Sequence, residues 1–313
     1  MVLIFAKIFS VFSISFIGYA ANKMKWLPIE STKYLSMLLI NIASPCLVLY
    51  SMSQQELTDA TIASVIQVAG LMLLALITAT FISVFAVRIM KVPVADRGVY
   101  QALLVLTNSG FMGFPLSLAV FGEKGLFLMI IANAVFTLYT YSAGIIMLIS
   151  GRDEKLTIKA AVKSMISIPV VASIVGLLIF SIGIQLPSLL EGFLDTVGGI
   201  TIPLSMIIIG IQLAESKAIE VLKNIHLFET LLLKLIVFPV SLFLILMWLP
   251  VIPFVFCIVI FAMAMPSAAI IPVLSEIYDT NAKLAAQAVF ITTMCSLITI
   301  PICAILLNLY LGI

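Results

Sequence analysis

Ten long apolar stretches with short polar punctuation between them decide what this chain can become. They lie near 3 to 21, 32 to 51, 60 to 88, 97 to 121, 125 to 149, 166 to 183, 188 to 213, 225 to 248, 252 to 275 and 284 to 311. A helix needs about 20 mostly apolar residues to cross a hydrocarbon layer of roughly 30 Å, and each stretch is near that length. Of the 313 residues 63% are hydrophobic and only 10% are charged, against roughly 25% charged in soluble proteins. A water-soluble globule is thereby excluded. Backbone groups in lipid must satisfy one another, and runs this continuous lack the alternation of an outer-membrane barrel. The predicted fold is an all-α polytopic membrane protein of ten transmembrane helices, with the lipid bilayer as its solvent. The longest polar segment, 150 to 164, is too short to fold as a separate soluble domain.

The basic residues alternate from side to side. One set of loops holds Lys23, Lys25, Lys33, Arg88, Lys91, Arg97, Arg152, Lys155, Lys159, Lys163, Lys217, Lys223 and Lys283, whereas the opposite loops and both termini hold only Lys124. The positive-inside rule then puts the basic loops in the cytoplasm and both termini outside, as for a bacterial plasma-membrane protein. The net charge of +2 reflects this topology and implies no nucleic-acid partner. Lys23 and Lys25 follow the first stretch and no basic region precedes it, which predicts an uncleaved first helix. Cys46, Cys257, Cys295 and Cys303 lie inside apolar runs without CxxC spacing, so they read as small buried hydrophobes and no metal site is expected. No phosphate-binding GxxxxGK[ST] loop is present, which excludes an ATP-driven pump within the chain. Neither HExxH nor GxSxG occurs, and the chain reads as no enzyme.

The segment 150–164 divides the stretches five and five, giving repeats at 1–149 and 165–313 joined by a cytoplasmic linker. Five is odd, so the second repeat is expected upside down relative to the first, a ground plan common among secondary transporters. The second stretch of each half carries a proline in similar company: Ile42-Ala43-Ser44-Pro45 and Ile200-Thr201-Ile202-Pro203. The fourth stretch of each half is interrupted. In one, Thr107-Asn108-Ser109-Gly110-Phe111-Met112-Gly113-Phe114-Pro115 breaks an apolar run; in the other, Ala264-Met265-Pro266-Ser267-Ala268 does so, with Pro272 beyond it. Glycine and proline leave backbone groups unpaired, which at membrane depth is tolerated only beside protein or water. Where such a helix restarts, free N–H groups and a positive dipole end favour anions; where it stops, carbonyls favour cations. Paired interruptions point to a binding site; no cofactor is expected, and the coupling ion, a proton or sodium, stays open.

These residues resemble a known family. Asn41-x-x-x-Pro45, Asn108-x-Gly110-Phe111-x-Gly113-x-Pro115, Ile202-Pro203-Leu204 and Lys234-x-x-x-x-Pro239 are similar, in order and spacing over the whole chain, to the auxin efflux carriers of plants and bacteria, whose bacterial members include malate-permease-like proteins. The resemblance implies the fold of the bile-acid symporters and sodium/proton antiporters, in which helices 1, 2, 6 and 7 form a scaffold, helices 3–5 and 8–10 a mobile core, and helices 4 and 9 cross. It leaves room for a homodimer through the scaffold. It also implies alternating-access movement of a small organic anion, a carboxylate such as malate or an auxin-like acid. The substrate residues it points to are Asn108, Gly110, Gly113 and Pro115, with Pro266 and Ser267 across from them and Asn41, Pro45, Thr201 and Pro203 facing from the scaffold. A sensor or a channel for a small ligand is the alternative.

Among intramembrane polar residues, Lys234 is the most costly to bury and is expected near the ion or substrate site. Glu229, five residues away, falls on another face of the helix. Asn133, Thr137, Gln212, Gln287 and Thr292 read as interhelical hydrogen bonds, and His226, where the eighth stretch meets the cytoplasm, needs no special role.

Overall fold

A computed structural model of the chain describes residues 2–150, 167–215 and 224–312. The expected linker, with Arg152, Lys155, Lys159 and Lys163, lies outside the described residues apart from Ser150, as do Lys217 and Lys223. In chain order the helices are α1 (Val2–Lys23), α2 (Ser31–Ser53), α3 (Asp59–Ile89), α4 (Arg97–Val105), α5 (Gly113–Leu148), α6 (Ile168–Ile182), α7 (Ser188–Ala214), α8 (Ile225–Leu246), α9 (Pro253–Ala264), α10 (Ile271–Ile277) and α11 (Ala282–Leu311). Seven of them, α1, α2, α3, α5, α7, α8 and α11, are long and apolar enough to cross a membrane. The shorter apolar helices α6 and α9 accompany them. No strand occurs among the described residues, and the protein is a multi-pass helical membrane protein.

Polar residues start the helices where the chain turns back. The Thr58 hydroxyl accepts the Thr61 amide (3.2 Å) ahead of α3, and the Asn281 side chain accepts the Leu284 amide (3.1 Å) ahead of α11. Each fills one of the orphan donors of a first turn. The boundary expected near 122 is a sharp corner inside α5: Gly122 has φ 69° and ψ −164°, a conformation open essentially to glycine alone.

Two of the expected crossings are not continuous. The fourth stretch becomes α4 and the first turns of α5, with residues 106–112 unwound between them; the ninth becomes α9 and α10, with residues 265–270 unwound. Three further helices widen locally into single π-helical turns at Leu39–Ala43, Thr140–Gly144 and Leu233–Val237. Two of these have a proline two residues beyond, Pro45 and Pro239. Proline lacks the amide its turn would use and crowds the carbonyl four residues back, so the ladder is relieved by an extra residue in the turn. Asn41 and Lys234 sit inside those widened turns.

The packing of α1 on α7 is the most intimate in the molecule. A Cβ at Gly210 would meet the Ser15 carbonyl and stand 2.7 Å from the Tyr19 nitrogen, and one at Gly18 would meet the Ile207 carbonyl. The two backbones touch through glycine, a device by which membrane helices gain dispersion contact that lipid cannot supply. Lys23 closes the same seam, its Nζ donating to the Ala214 carbonyl (2.7 Å).

Candidate functional site

The unwound stretches 106–112 and 265–270 lie against each other and exchange hydrogen bonds. The Asn108 amide donates to the Pro266 carbonyl (2.8 Å) and the Ala268 amide to the Leu106 carbonyl (3.0 Å). Their side chains then cap each other's helices. The Ser267 hydroxyl donates to the Leu103 carbonyl at the end of α4 (2.7 Å), and the Thr107 hydroxyl donates to the Ala262 carbonyl near the end of α9 (2.6 Å). The Ser267 amide is held by the Thr292 hydroxyl of α11 (3.3 Å). Thr107, Ser267 and Thr292 are all fully buried. Each broken helix ends in carbonyls that a continuous helix would satisfy, and the partner break satisfies them.

Lys234 completes the cap of α4. Its Nζ donates to the carbonyls of Leu104 (3.2 Å) and Val105 (3.5 Å), with the residue wholly buried. A cation at the negative end of a helix is electrostatically matched, and here it also covers the carbonyls beside the one Ser267 covers. Glu229 takes no part: it pairs with His226 at 2.8 Å on another face of α8.

Beside this crossing lies a cavity of about 280 Å³. The breaks contribute Thr107, Asn108, Gly110 and Phe111 on one side and Ala268, Ala269 and Ile270 on the other. α2 contributes Leu39, Ile40, Asn41 and Ser44, α7 contributes Thr201 and Ser205, and α5 contributes Asn133, Phe136, Thr137, Thr140 and Tyr141. Ser167 and Pro169, at the start of α6, close the remaining wall. No charged side chain lines it among the described residues.

Four residues expected at the site line this cavity: Asn41, Asn108, Gly110 and Thr201. Gly113 and Pro115 stand behind it at the buried start of α5, where a Cβ on Gly113 would press on the Met129 sulfur at 3.2 Å. Pro45 is buried just past the π-helical turn of α2, and Pro203 is exposed on α7. Pro266, Ser267 and Lys234 are spent on the crossing itself. Conversely, Ser205, Tyr141 and Ser167 line the cavity although nothing in the sequence singled them out, and Ser44, quoted above only as company of Pro45, lines it too. Asn133 does both jobs: its Oδ1 accepts the Ser109 hydroxyl (2.8 Å), the interhelical bond expected, and it faces the cavity.

Two cavity hydroxyls, those of Thr201 and Ser167, are buried without a partner. Asn108 is 4% exposed, and its carboxamide makes no hydrogen bond with a described residue. Beside Asn108, the peptide N–H groups of Gly110 and Phe111, at the threshold of α5, find no acceptor among the described residues. A buried polar group left unpaired costs about 1–3 kcal/mol, so such hydroxyls beside further free donors around an open volume are what a site awaiting a polar ligand looks like.

The sequence profile of a family of membrane transport proteins matches residues 3–304. The chain belongs to this family. It is the family of the auxin efflux carriers, as the motifs at Asn108–Pro115 and Lys234–Pro239 led us to expect. Two relatives resemble this membrane transport protein along nearly their whole lengths. An uncharacterized transporter of Methanocaldococcus jannaschii is 26% identical over 306 residues, covering 93% of this chain and 95% of the relative. An uncharacterized transporter of Methanothermobacter thermautotrophicus is 27% identical over 307 residues, covering 96% and 97%.

Proposed function

We propose that the protein is a secondary transporter that moves a small organic anion across the plasma membrane by alternating access. The observation that carries this reading is the unpaired cluster of Asn108, Thr201 and the Gly110 and Phe111 amides around one cavity beside two broken helices. Every free donor in it suits a carboxylate: the Asn108 side-chain carboxamide, a hydroxyl, and peptide N–H groups at the positive end of α5. A volume of about 280 Å³ fits a metabolite-sized acid. Lys234 acts from behind the break, adding positive potential without touching the ligand.

In this reading the ten spans form two inverted repeats, 1–149 and 165–313. The reciprocal capping of α4 by Ser267 and of α9 by Thr107 favours it, because equivalent hydroxyls do equivalent work in the two halves. The spans containing α1, α2, α6 and α7 are the scaffold, bound by the glycine contact of α1 with α7, and the crossing belongs to the moving core. Asn41 and Thr201 on the scaffold face Asn108 on the core, so the substrate is gripped across the surface that must slide.

The test is flux of a labelled organic-acid panel in proteoliposomes, with and without proton and sodium gradients. Saturable movement of one carboxylate, driven by one of the gradients or by neither and inhibited by its analogues, is the expected result and assigns the coupling. A folded protein that moves no member of the panel would count against the reading, and saturable binding without flux would favour a sensor.

A further inference from the structure

The cavity occupies one end of a seam between α2, α6 and α7 on one side and α5 on the other, and the same seam opens again at its far end. The cavity touches Asn41 of α2 and the far clefts touch Gln54 just past its end, thirteen residues on, or about 20 Å at roughly 1.5 Å per residue. α5 and α6 show shorter offsets in their own directions, about 14 Å from Asn133 to Lys124 and about 17 Å from Pro169 to Phe180.

Two far clefts, of about 450 and 370 Å³, share the wall formed by Gln54, Gln55 and Glu56. The smaller is lined by Thr58 and Thr61 and by Lys124. Lys124 has no carboxylate within ion-pair distance among the described residues; its Nζ rests 5.3 Å from the centroid of the Phe254 ring. The two clefts meet at an aromatic contact, one ring lining each. Phe127 of α5 meets Phe180 of α6 with ring centroids 5.5 Å apart, and the two are 1% and 4% exposed.

We propose that the cleft beneath Lys124 is the far-side docking site of the transported carboxylate, and that the Phe127–Phe180 contact is the closed door between it and the cavity. This rests on the transport reading above. The cleft supplies a free ammonium and the Thr58 and Thr61 hydroxyls, which suit a carboxylate, while Glu56 on its wall disfavours a second one and keeps the site weak. The door joins α5 to α6, so sliding of core against scaffold separates the rings and opens the seam at this end.

Two measurements test it. In oriented proteoliposomes, Lys124→Gln should raise KM about three- to fivefold for substrate presented on the Lys124 face, the range for one exposed ion pair. It should leave KM on the cavity-mouth face unchanged, and Lys124→Arg should restore the wild-type value. Separately, in a chain with Cys46, Cys257, Cys295 and Cys303 replaced by alanine, a Thr137→Cys reporter in the cavity should react with a membrane-impermeant maleimide from the cavity-mouth face only. Adding Phe127→Ala and Phe180→Ala should admit the reagent from the Lys124 face, and the milder Phe180→Leu serves if the double variant does not fold. Equal KM changes on both faces, or labelling confined to one face in every variant, would overturn the proposal. A wild-type protein that moves no carboxylate defeats the transport reading instead, while the labelling still decides the door.

Discussion

Substituting Gly210 by alanine should loosen the molecule where it is held most tightly. The added methyl would lie 2.7 Å from the Tyr19 nitrogen, 2.8 Å from the Ser15 carbonyl carbon and nearer still to its oxygen. Ordinary carbon contacts fall at about 3.5–4.0 Å, so α1 must withdraw by roughly 1 Å or more. Overpacking of this kind costs about 1–3 kcal/mol, and the obstacle is backbone, which cannot rotate aside, so the upper end applies. Alanine recovers about 1 kcal/mol of helix propensity, leaving a net loss of about 2 kcal/mol. Gly192, also on α7, is the control: no atom lies within 4 Å of its would-be Cβ. There alanine should gain the propensity alone, about 1 kcal/mol. The two variants should therefore differ by about 3 kcal/mol, or about 6 °C in thermal unfolding of the solubilised protein at roughly 2 °C per kcal/mol. Gly210→Ala melting at or above Gly192→Ala would show that α1 and α7 do not touch through their backbones.

Three further outcomes follow from the site. Asn108→Ala and Thr201→Val each remove one donor from the cavity and should raise the transport KM about five- to tenfold with membrane abundance unchanged; initial-rate kinetics that match wild type in both would place the substrate elsewhere. Ser267→Ala takes the donor from the Leu103 carbonyl and should cost about 1–3 kcal/mol, whereas Ser275→Ala removes a buried hydroxyl that has no partner and should be neutral or slightly stabilising; the ranking in a thermal-shift series decides. Lys234→Met and Lys234→Ala both uncover the Leu104 and Val105 carbonyls and should depress flux, with the alanine variant less stable by about 2 kcal/mol or more because it also leaves a void; unchanged flux in both would remove Lys234 from the transport machinery.

Much of this molecule is written in its apolar lengths. The stretch at 60 to 88 appears as Asp59–Ile89 and that at 284 to 311 as Ala282–Leu311, because about 20 apolar residues between polar ends have few other options. The breaks at Asn108–Pro115 and Pro266 were legible too, since glycine and proline at membrane depth announce unpaired backbone. Rotation about each helix axis was not legible. Ser267 and Lys234 stood out as polar residues near the breaks, but a sequence cannot tell whether such a side chain faces the opening or the neighbouring helix end. The structure turns both toward the carbonyls of α4. Ser205 and Tyr141 face the cavity for the converse reason: in helices rich in small and aromatic residues, one hydroxyl looks like another until the neighbours are in place. The π-helical turns at Leu39–Ala43 and Thr140–Gly144 complicate the reading further, because an extra residue in a turn rotates everything beyond it by about 100° relative to an ideal 3.6-residue period.

The exchange of caps between the two breaks also sets a schedule for biogenesis. Ser267 follows Leu103 by 164 residues, which at a synthesis rate of roughly 5–20 residues per second is a wait of roughly 8–30 s. During that interval α4 is already made while Ser267 is not, and Lys234 itself follows Leu104 by 130 residues. Until then the last carbonyls of α4 need water or another donor in their place. A chain stalled before Pro266 leaves the Leu103 carbonyl without the donor that caps it in the finished protein.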